Sequence, residues 1–508
     1  MMRKGLPLLL AALLAAPAIA QTTGEAATAA LFDKVAASPA RLRVFLQDMP
    51  KGGDLHNHLW GQPYAEQFLD WAGEAGLCVS EETLSIVAGP CKGDTLVPAK
   101  DLIRRKGGEA LYVKMIRALS TRDRNVGLGV NDTTGHDDFF ETFDRFAASA
   151  IAAPGAMLAS ARTSAATNHV SYLELMQDPG AIMAAGGAAA KEPFDPADFE
   201  GALQRLSPQI PALAAAARTE IDAMEADAVK RLGCATTPAS PPCAVTVRYQ
   251  FYALRSAPPA FVFGQLAAAF AVADADPRVV GVNIVAPEDG AVAIADFDLH
   301  MAMFRFFSAR YPRVKKSMHA GELAMGLVPP AALDNHIRRS IEVAGATRIG
   351  HGVAIAHEKD APALLARMAK DRIAVEINLT SNDTILGVKG AAHPLALYRA
   401  AGVPVVLSTD DEGVSRSDMT NEYLRAATEQ GLRYTELKGI ARASLQYAFL
   451  PGPSLWADGK VGTRVTACAN PAAPSCTGLL ASSEKAKAQW RLETEFQAFE
   501  SKIGRAVF

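Results

Sequence analysis

Eight short runs, most of them rich in Val, Ile and Leu, recur along the chain, separated by longer stretches, several with helical spacing, and this alternation constrains the fold more than any other feature. The runs are Gly53–His58, Val170–Met176, Val245–Leu254, Val279–Val285, Lys316–His319, Arg348–His351, Ile373–Asn378 and Val403–Ser408. Helical segments at Asp296–Ala309, Asn335–Ala344, Ala361–Lys370 and Pro394–Ala400 have lengths suited to right-handed crossovers between parallel strands. Eight such units predict an α/β fold of the (β/α)8 TIM-barrel type over residues 51–450. With 508 residues, 49% of them AVILMFWYC, the chain has ample apolar side chains for a core of that size, and disorder is excluded as its main state.

Some stretches exceed a minimal barrel. Residues from about 76 to 135 fall between the first strand and a helical Phe139–Ala150 segment, and residues 193–244 lengthen a crossover through a helix containing Ile221–Leu232. Residues 451–508 form a C-terminal extension that closes in a helix, Ser483–Ile503. Six cysteines fall into three local pairs within these additions, and because short loops cost least entropy to close, the expected bridges are Cys78–Cys91, Cys234–Cys243 and Cys468–Cys476.

Disulfides accord with the N-terminus. Arg3 and Lys4 precede an apolar run from Leu6 to Ala16 and a small-x-small site, Ala18-Ile19-Ala20, so residues 1–20 read as a cleaved signal peptide. The mature chain is expected to be periplasmic or secreted, with no membrane insertion. Lys+Arg number 51 against 54 Asp+Glu, a net charge of -3, so no broad cationic field exists for nucleic acid. The expected partner is a small molecule; the oligomeric state stays open, a homodimer included.

The chemistry gathers at the C-terminal ends of the strands, where barrels of this type keep their sites. Asp54-Leu55-His56-Asn57-His58 ends the first run, and the period-two alternation of a strand turns both imidazoles to one side. His319 closes the fifth run ahead of Glu322, His351 closes the sixth between Gly350 and Gly352, and Asp410-Asp411 follow the eighth. Each alone fits an ordinary structural role: surface histidines in a turn, a satisfied core histidine, a helix N-cap. Four together, at the mouths of the first, fifth, sixth and eighth runs, form a nitrogen and oxygen set suited to Zn2+ with coordination left for water.

Met49-Pro50-Lys51-Gly52-Gly53-Asp54-Leu55-His56-Asn57-His58-Leu59, His319-Ala320-Gly321-Glu322, Arg348-Ile349-Gly350-His351-Gly352 and Ser408-Thr409-Asp410-Asp411 resemble, in order, the four signature segments of the adenosine deaminase family. The likeness covers roughly residues 45–450, and within the family it is nearest the secreted adenosine deaminase-related growth factors. That branch has an N-terminal helical extension and a disulfide-containing insertion after the first strand, which residues 21–50 and 76–135 resemble. The resemblance implies one Zn2+ per chain held by His56, His58, His319 and Asp410. It implies Glu322 as the acid that protonates purine N1, His351 as the residue that orients and polarises the attacking water, and Asp411 as the partner of purine N7.

Two positions depart from the family pattern. Trp60 stands where many members place an Asp toward the ribose, and Ala286 stands where the family's Gly offers a backbone N–H to purine N3. The activity implied is hydrolytic deamination of adenosine or 2′-deoxyadenosine. Deamination of adenine or a modified purine, another amidohydrolase activity, and a non-catalytic nucleoside-binding signalling role are the alternatives. Phe139, Phe140, Phe143 and Phe146 repeat at helical spacing and could gate a substrate, but the pattern favours core packing. Glu174 and Arg255 could line the barrel mouth or pair inside it, while His169, His300, His336, His357 and His393 lack partner motifs and read as structural.

Overall fold

The computed structural model describes residues 23–123, 127 and 134–503, so the expected signal peptide and parts of the first insertion lie outside the described residues. Eight parallel strands run in chain order around a barrel: Gly52–His58 (β1), Val170–Met176 (β2), Thr246–Leu254 (β3), Val279–Val285 (β4), Lys315–Ala320 (β5), Arg348–His351 (β6), Ala374–Ile377 (β7) and Val405–Leu407 (β8). The runs of β4 and β8 are almost continuously apolar because helices cover the outside while neighbouring strands fill the inside, and every residue of β2, β6, β7 and β8 is buried. The seam closes where β8 ends. The Asp410 N–H donates to the His56 carbonyl at 2.9 Å, and the His58 N–H donates to the Asp410 carbonyl at 3.1 Å.

The barrel interior below the mouth is polar. Arg348 spans it, donating from Nη2 to Glu174 Oε2 and from Nε to Glu376 Oε1, each at 2.5 Å, and its guanidinium lies 3.7 Å from the Phe449 ring centroid. All three charged groups are essentially sealed from solvent. Such burial is tolerated only where the charges are paired and the remaining polar atoms bonded. Glu174 therefore pairs within the barrel and does not line its mouth.

The additions cluster on the outside. Helices Thr23–Val35 and Pro39–Gln47 pack on Tyr434–Tyr447, Met419–Thr428 and the terminal Glu484–Ile503 helix, with Phe32, Phe45 and Phe499 meeting edge to face. The first insertion contains a three-stranded antiparallel sheet, Ser85–Val87, Cys78–Ser80 and Leu96–Pro98, pinned by Cys78–Cys91. The other bridges are Cys234–Cys243 and Cys468–Cys476, matching the pairs expected from loop length.

The third, seventh and eighth strands are shorter than expected, at Thr246–Leu254, Ala374–Ile377 and Val405–Leu407, whereas two helices are longer. The crossover helix expected to contain Ile221–Leu232 runs Ile210–Arg231, because Pro211 in its first turn forfeits only an N–H that would be unbonded anyway. The aromatic helix starts at Gly135, earlier than Phe139, since Thr134 caps it by accepting from the Asp137 N–H at 3.0 Å. Among the described residues no helix is long and apolar enough to cross a membrane.

Candidate metal centre and active site

His56 and His58, two apart on β1, both turn to the mouth of the barrel. His56 Nδ1 lies 2.8 Å from Glu376 Oε2 on β7, which also accepts at Oε1 from Ser317 Oγ and Arg348. That carboxylate fixes the proton on Nδ1 and leaves Nε2 facing the site, 3.2 Å from Asp410 Oδ1. On β5, His319 Nδ1 lies 3.0 Å from Asn283 Oδ1, so its Nε2 also faces inward, 3.1 Å from His58 Nε2. His58 Nε2 is 3.3 Å from Asp410 Oδ1. Gly350 on β6 makes room for this packing: a Cβ there would stand 2.6 Å from His56 Cε1.

Four first-row ligand atoms at ~2.0–2.1 Å from one tetrahedral ion are spaced by ~3.3 Å, which these separations approach. His56 Nε2 and Asp410 Oδ1 are sealed from solvent with no hydrogen-bond partner, a costly arrangement unless a cation takes up their lone pairs. Burial opposes a proton on His56, yet Asp410 and Glu376 outweigh it and hold its pKa up, to about 10, so the pocket favours positive charge. The donor set therefore fits a metal ion. Ligand atoms lie within 4.8 Å of one another in two overlapping groups, His56, His319, His351 and Asp410, and His58, Asp410 and Asp411.

His351 belongs to the cluster in space but is bonded differently. Its Nδ1 lies 3.0 Å from Asn382 Nδ2, whose own Oδ1 faces His393 Nε2 at 3.0 Å, so Asn382 donates and His351 accepts. The hydrogen of a neutral His351 then sits on Nε2, suiting it to a water-orienting role better than to ligation. Burial pushes its pKa down to about 3, keeping it neutral. Asp410 Oδ2 accepts from Ser381 Oγ at 2.6 Å, which leaves Oδ1 for the centre.

Glu322 follows β5 and is held through its backbone. Its N–H donates to Glu288 Oε2 at 2.8 Å and the Gly321 N–H donates to Oε1 at 3.0 Å, while His336 Nδ1 stands 2.6 Å from the same Oε1. Arg255 donates to the His319 carbonyl at 2.8 Å and approaches Glu288 at 3.7 Å, so it braces this loop and does not line the cavity. Burial, then the carboxylates of Asp410 and Glu288, push the Glu322 pKa well above the usual range. Burial and then Asp410 do the same to Asp411, whose Oδ1 has no partner. Both groups are thus biased toward the protonated, donating form. Gly61 runs so close to Asp411 that a Cβ would overlap its carboxylate.

These residues share one cavity of about 570 Å3, lined by His58, His319, Glu322, His351, Asp410 and Asp411, with Trp60 and Ala286 also on its walls. Ala286 adopts φ +80, a region that favours glycine. Phe139, Phe140 and Phe143 line the cavity as well, so the aromatic repeat is more than core; Phe146 alone turns away, stacked on Phe68 at 4.3 Å. Among the described residues lining this cavity there is no Lys or Arg.

Sequence reasoning passed over the residues that orient the site: Asn283, Glu288, Glu376, Ser381 and Asn382, with His336 and His393 set aside as structural. A glutamate in the middle of the apolar Ile373–Asn378 run was the clearest available signal, since a charge there requires a buried partner.

Fold and site together define a metal-binding hydrolase-type barrel. Residues 128–455 match the family model described as Adenosine deaminase, and the chain belongs to the adenosine deaminase family. An adenosine deaminase of Shewanella loihica is 38% identical over 133 residues, 26% of this chain and 37% of that protein. One from Serratia proteamaculans is 33% identical over 175 residues, 33% of this chain and 49% of that protein. The aligned regions thus span less than half the length of these curated relatives. Among solved structures, a zinc-bound amidohydrolase from Burkholderia ambifaria matches with a TM-score of 0.52 and 17% identity over 96% of this chain and 97% of that one. An adenine deaminase from Arthrobacter aurescens gives 0.51 and 16% over 79% and 94%. Both show likeness of fold.

Proposed function

We propose that the protein is a zinc-dependent hydrolase that deaminates adenosine or 2′-deoxyadenosine, releasing ammonia. The observation that carries this reading is Glu322, buried and biased toward its protonated form, in one cavity with His58, His319 and Asp410, behind which His56 completes the cluster. Zinc, when bound, would supply Lewis-acid activation of water, lowering its pKa toward ~7.

The remaining work falls to side chains. Glu322 delivers its proton to purine N1 as C6 is attacked, and then returns the water's proton to the departing amine. His351 Nε2–H orients the water. Asp411, protonated, donates to purine N7, and the two acids together read a purine base. The lining supports a nucleoside over a nucleotide, because five carboxyl side chains, Asp144, Asp178, Glu322, Asp410 and Asp411, and no Lys or Arg face the cavity among the described residues. Adenine itself is the second reading: Trp60 in place of a polar sugar contact leaves the base as the better-recognised half. A periplasmic or secreted location, with kinship to the secreted growth-factor branch, accords with the leader and the three bridges.

Glu322→Gln tests the reading. It preserves shape and the backbone anchors to Glu288, so zinc content should be retained while the rate falls at least ~10²–10⁴-fold. A variant keeping a tenth of the parental turnover would refute the assignment.

A further inference from the structure

A second cavity, of about 600 Å3, adjoins the first, and Trp60, Asp178 and Met183 line both. Its far wall is the Ile210–Arg231 helix, through Ile221, Ala223 and Met224. That helix belongs to the lengthened crossover, which barrel closure does not require and for which the deamination reading has no use.

The chemistry of this chamber is apolar. Of its carboxylates, Glu220 accepts from the Gly180 and Ala181 N–H groups at 2.6 and 3.1 Å, Asp227 from Arg231 at 2.7 Å, and Asp178 Oδ1 from the Tyr252 N–H at 2.9 Å, while Asp178 Oδ2 and the neighbouring Gln177 Oε1 are buried without a partner. Beyond those two oxygens, the surface left to meet a ligand is mainly aliphatic and thioether, with Ile151 70% and Met183 40% exposed. Exposed apolar side chains beside a concave chamber mark a binding surface. No Lys or Arg lines it among the described residues, so an anionic group would lose its hydration and gain no partner.

We propose that this second cavity is a subsite for an apolar, uncharged substituent on the sugar of a purine nucleoside. The inference rests on the nucleoside reading above. With the base held against Glu322 and Asp411 on the floor, the sugar points outward, to the wall formed by Trp60, Asp178 and Met183. The chamber beyond that wall is the adjoining space large enough for a group carried on the sugar's exocyclic carbon. The first cavity already has the size that holds a whole drug-sized ligand, so a plain nucleoside does not need the second.

Calorimetry on the zinc-loaded full chain tests this with inosine and 5′-O-benzylinosine, neither of which has an amino group to lose. 5′-O-benzylinosine should bind at least tenfold more tightly than inosine. Ala223→Trp, which fills the chamber, should abolish that advantage, and Ile151→Asp, at an exposed position that leaves folding intact, should cut it at least threefold. Equal or weaker binding of the benzyl compound, or an advantage that survives these substitutions, overturns the subsite. If inosine binds without a benzyl advantage, the subsite alone falls; if inosine itself fails to bind, the nucleoside reading falls and takes the subsite with it.

Discussion

Glu288 is not itself part of the cavity lining, yet Glu322 depends on it, because two successive N–H groups end on its two oxygens. Burial raises the Glu288 pKa, but His336 and Arg255 more than offset this and hold it down, at about 2. The carboxylate is therefore charged at all working pH values. Glu288→Gln keeps one acceptor oxygen and replaces the other with a donor that faces an N–H. Turnover should fall ~10–100-fold, as it does when a supporting partner of a site is lost, with metal content unchanged. Steady-state kinetics with elemental analysis checks this; parental turnover would contradict it.

Glu422 carries a second residue-scale expectation. Burial pushes its pKa up to about 7, only partly countered by the Thr380 N–H and Ser417 Oγ, each at 3.2 Å. An unfolded carboxyl releases its proton near ~4.3, so between there and pH 7 the folded state binds more protons and stability falls as pH rises. Glu422→Gln should remove that fall and stabilise the chain relative to its parent above pH 7, by an amount on the order of 1–3 kcal/mol. Thermal unfolding at pH 5 and pH 8 decides it; a variant no more favoured at pH 8 than at pH 5 would contradict the assignment.

At the scale of elements, β2, β3, β4, β7 and β8 were legible because burial on both faces leaves an apolar signature, and the mouths of β1, β5, β6 and β8 because a histidine or carboxylate ends each. The supporting residues were not, since Asn283, Glu288 and Asn382 acquire meaning only when β4, β5, β6, β7 and the segments after them come together. The aromatic helix shows the same limit. Spacing separates a buried face from an exposed one, but Phe140 and Phe143 face a cavity that exists only once Gly135–Ala152 lies across the barrel mouth. Phe140→Ala should raise KM severalfold and change kcat less, because it removes apolar wall and no reacting group; a fall in kcat alone would speak against it.

The three bridges lie in the additions, away from the barrel mouth, and close loops with sequence separations of 13, 9 and 8. The chain-entropy model values each at about 2.5–3 kcal/mol. Reductant should therefore lower the unfolding temperature more than it lowers turnover measured well below that temperature. Parallel loss of the two would mean that the bridges support the site itself.

For the whole molecule, the described architecture is a barrel whose closing seam is also its candidate metal centre: Asp410 joins β8 to β1 through its backbone and offers Oδ1 to His56 and His58 through its side chain. Fold and metal affinity are therefore coupled, and a chelator should lower the unfolding temperature as well as activity. The central claim is tested most directly by measuring ammonia release by the purified, zinc-loaded full chain from adenosine, 2′-deoxyadenosine, adenine and AMP, with metal counted in the same sample. The expected result is about one zinc per chain and rapid release from a nucleoside, with AMP the poorest of the four. Release from none of them by protein that holds its zinc, or AMP as the preferred substrate, would contradict it.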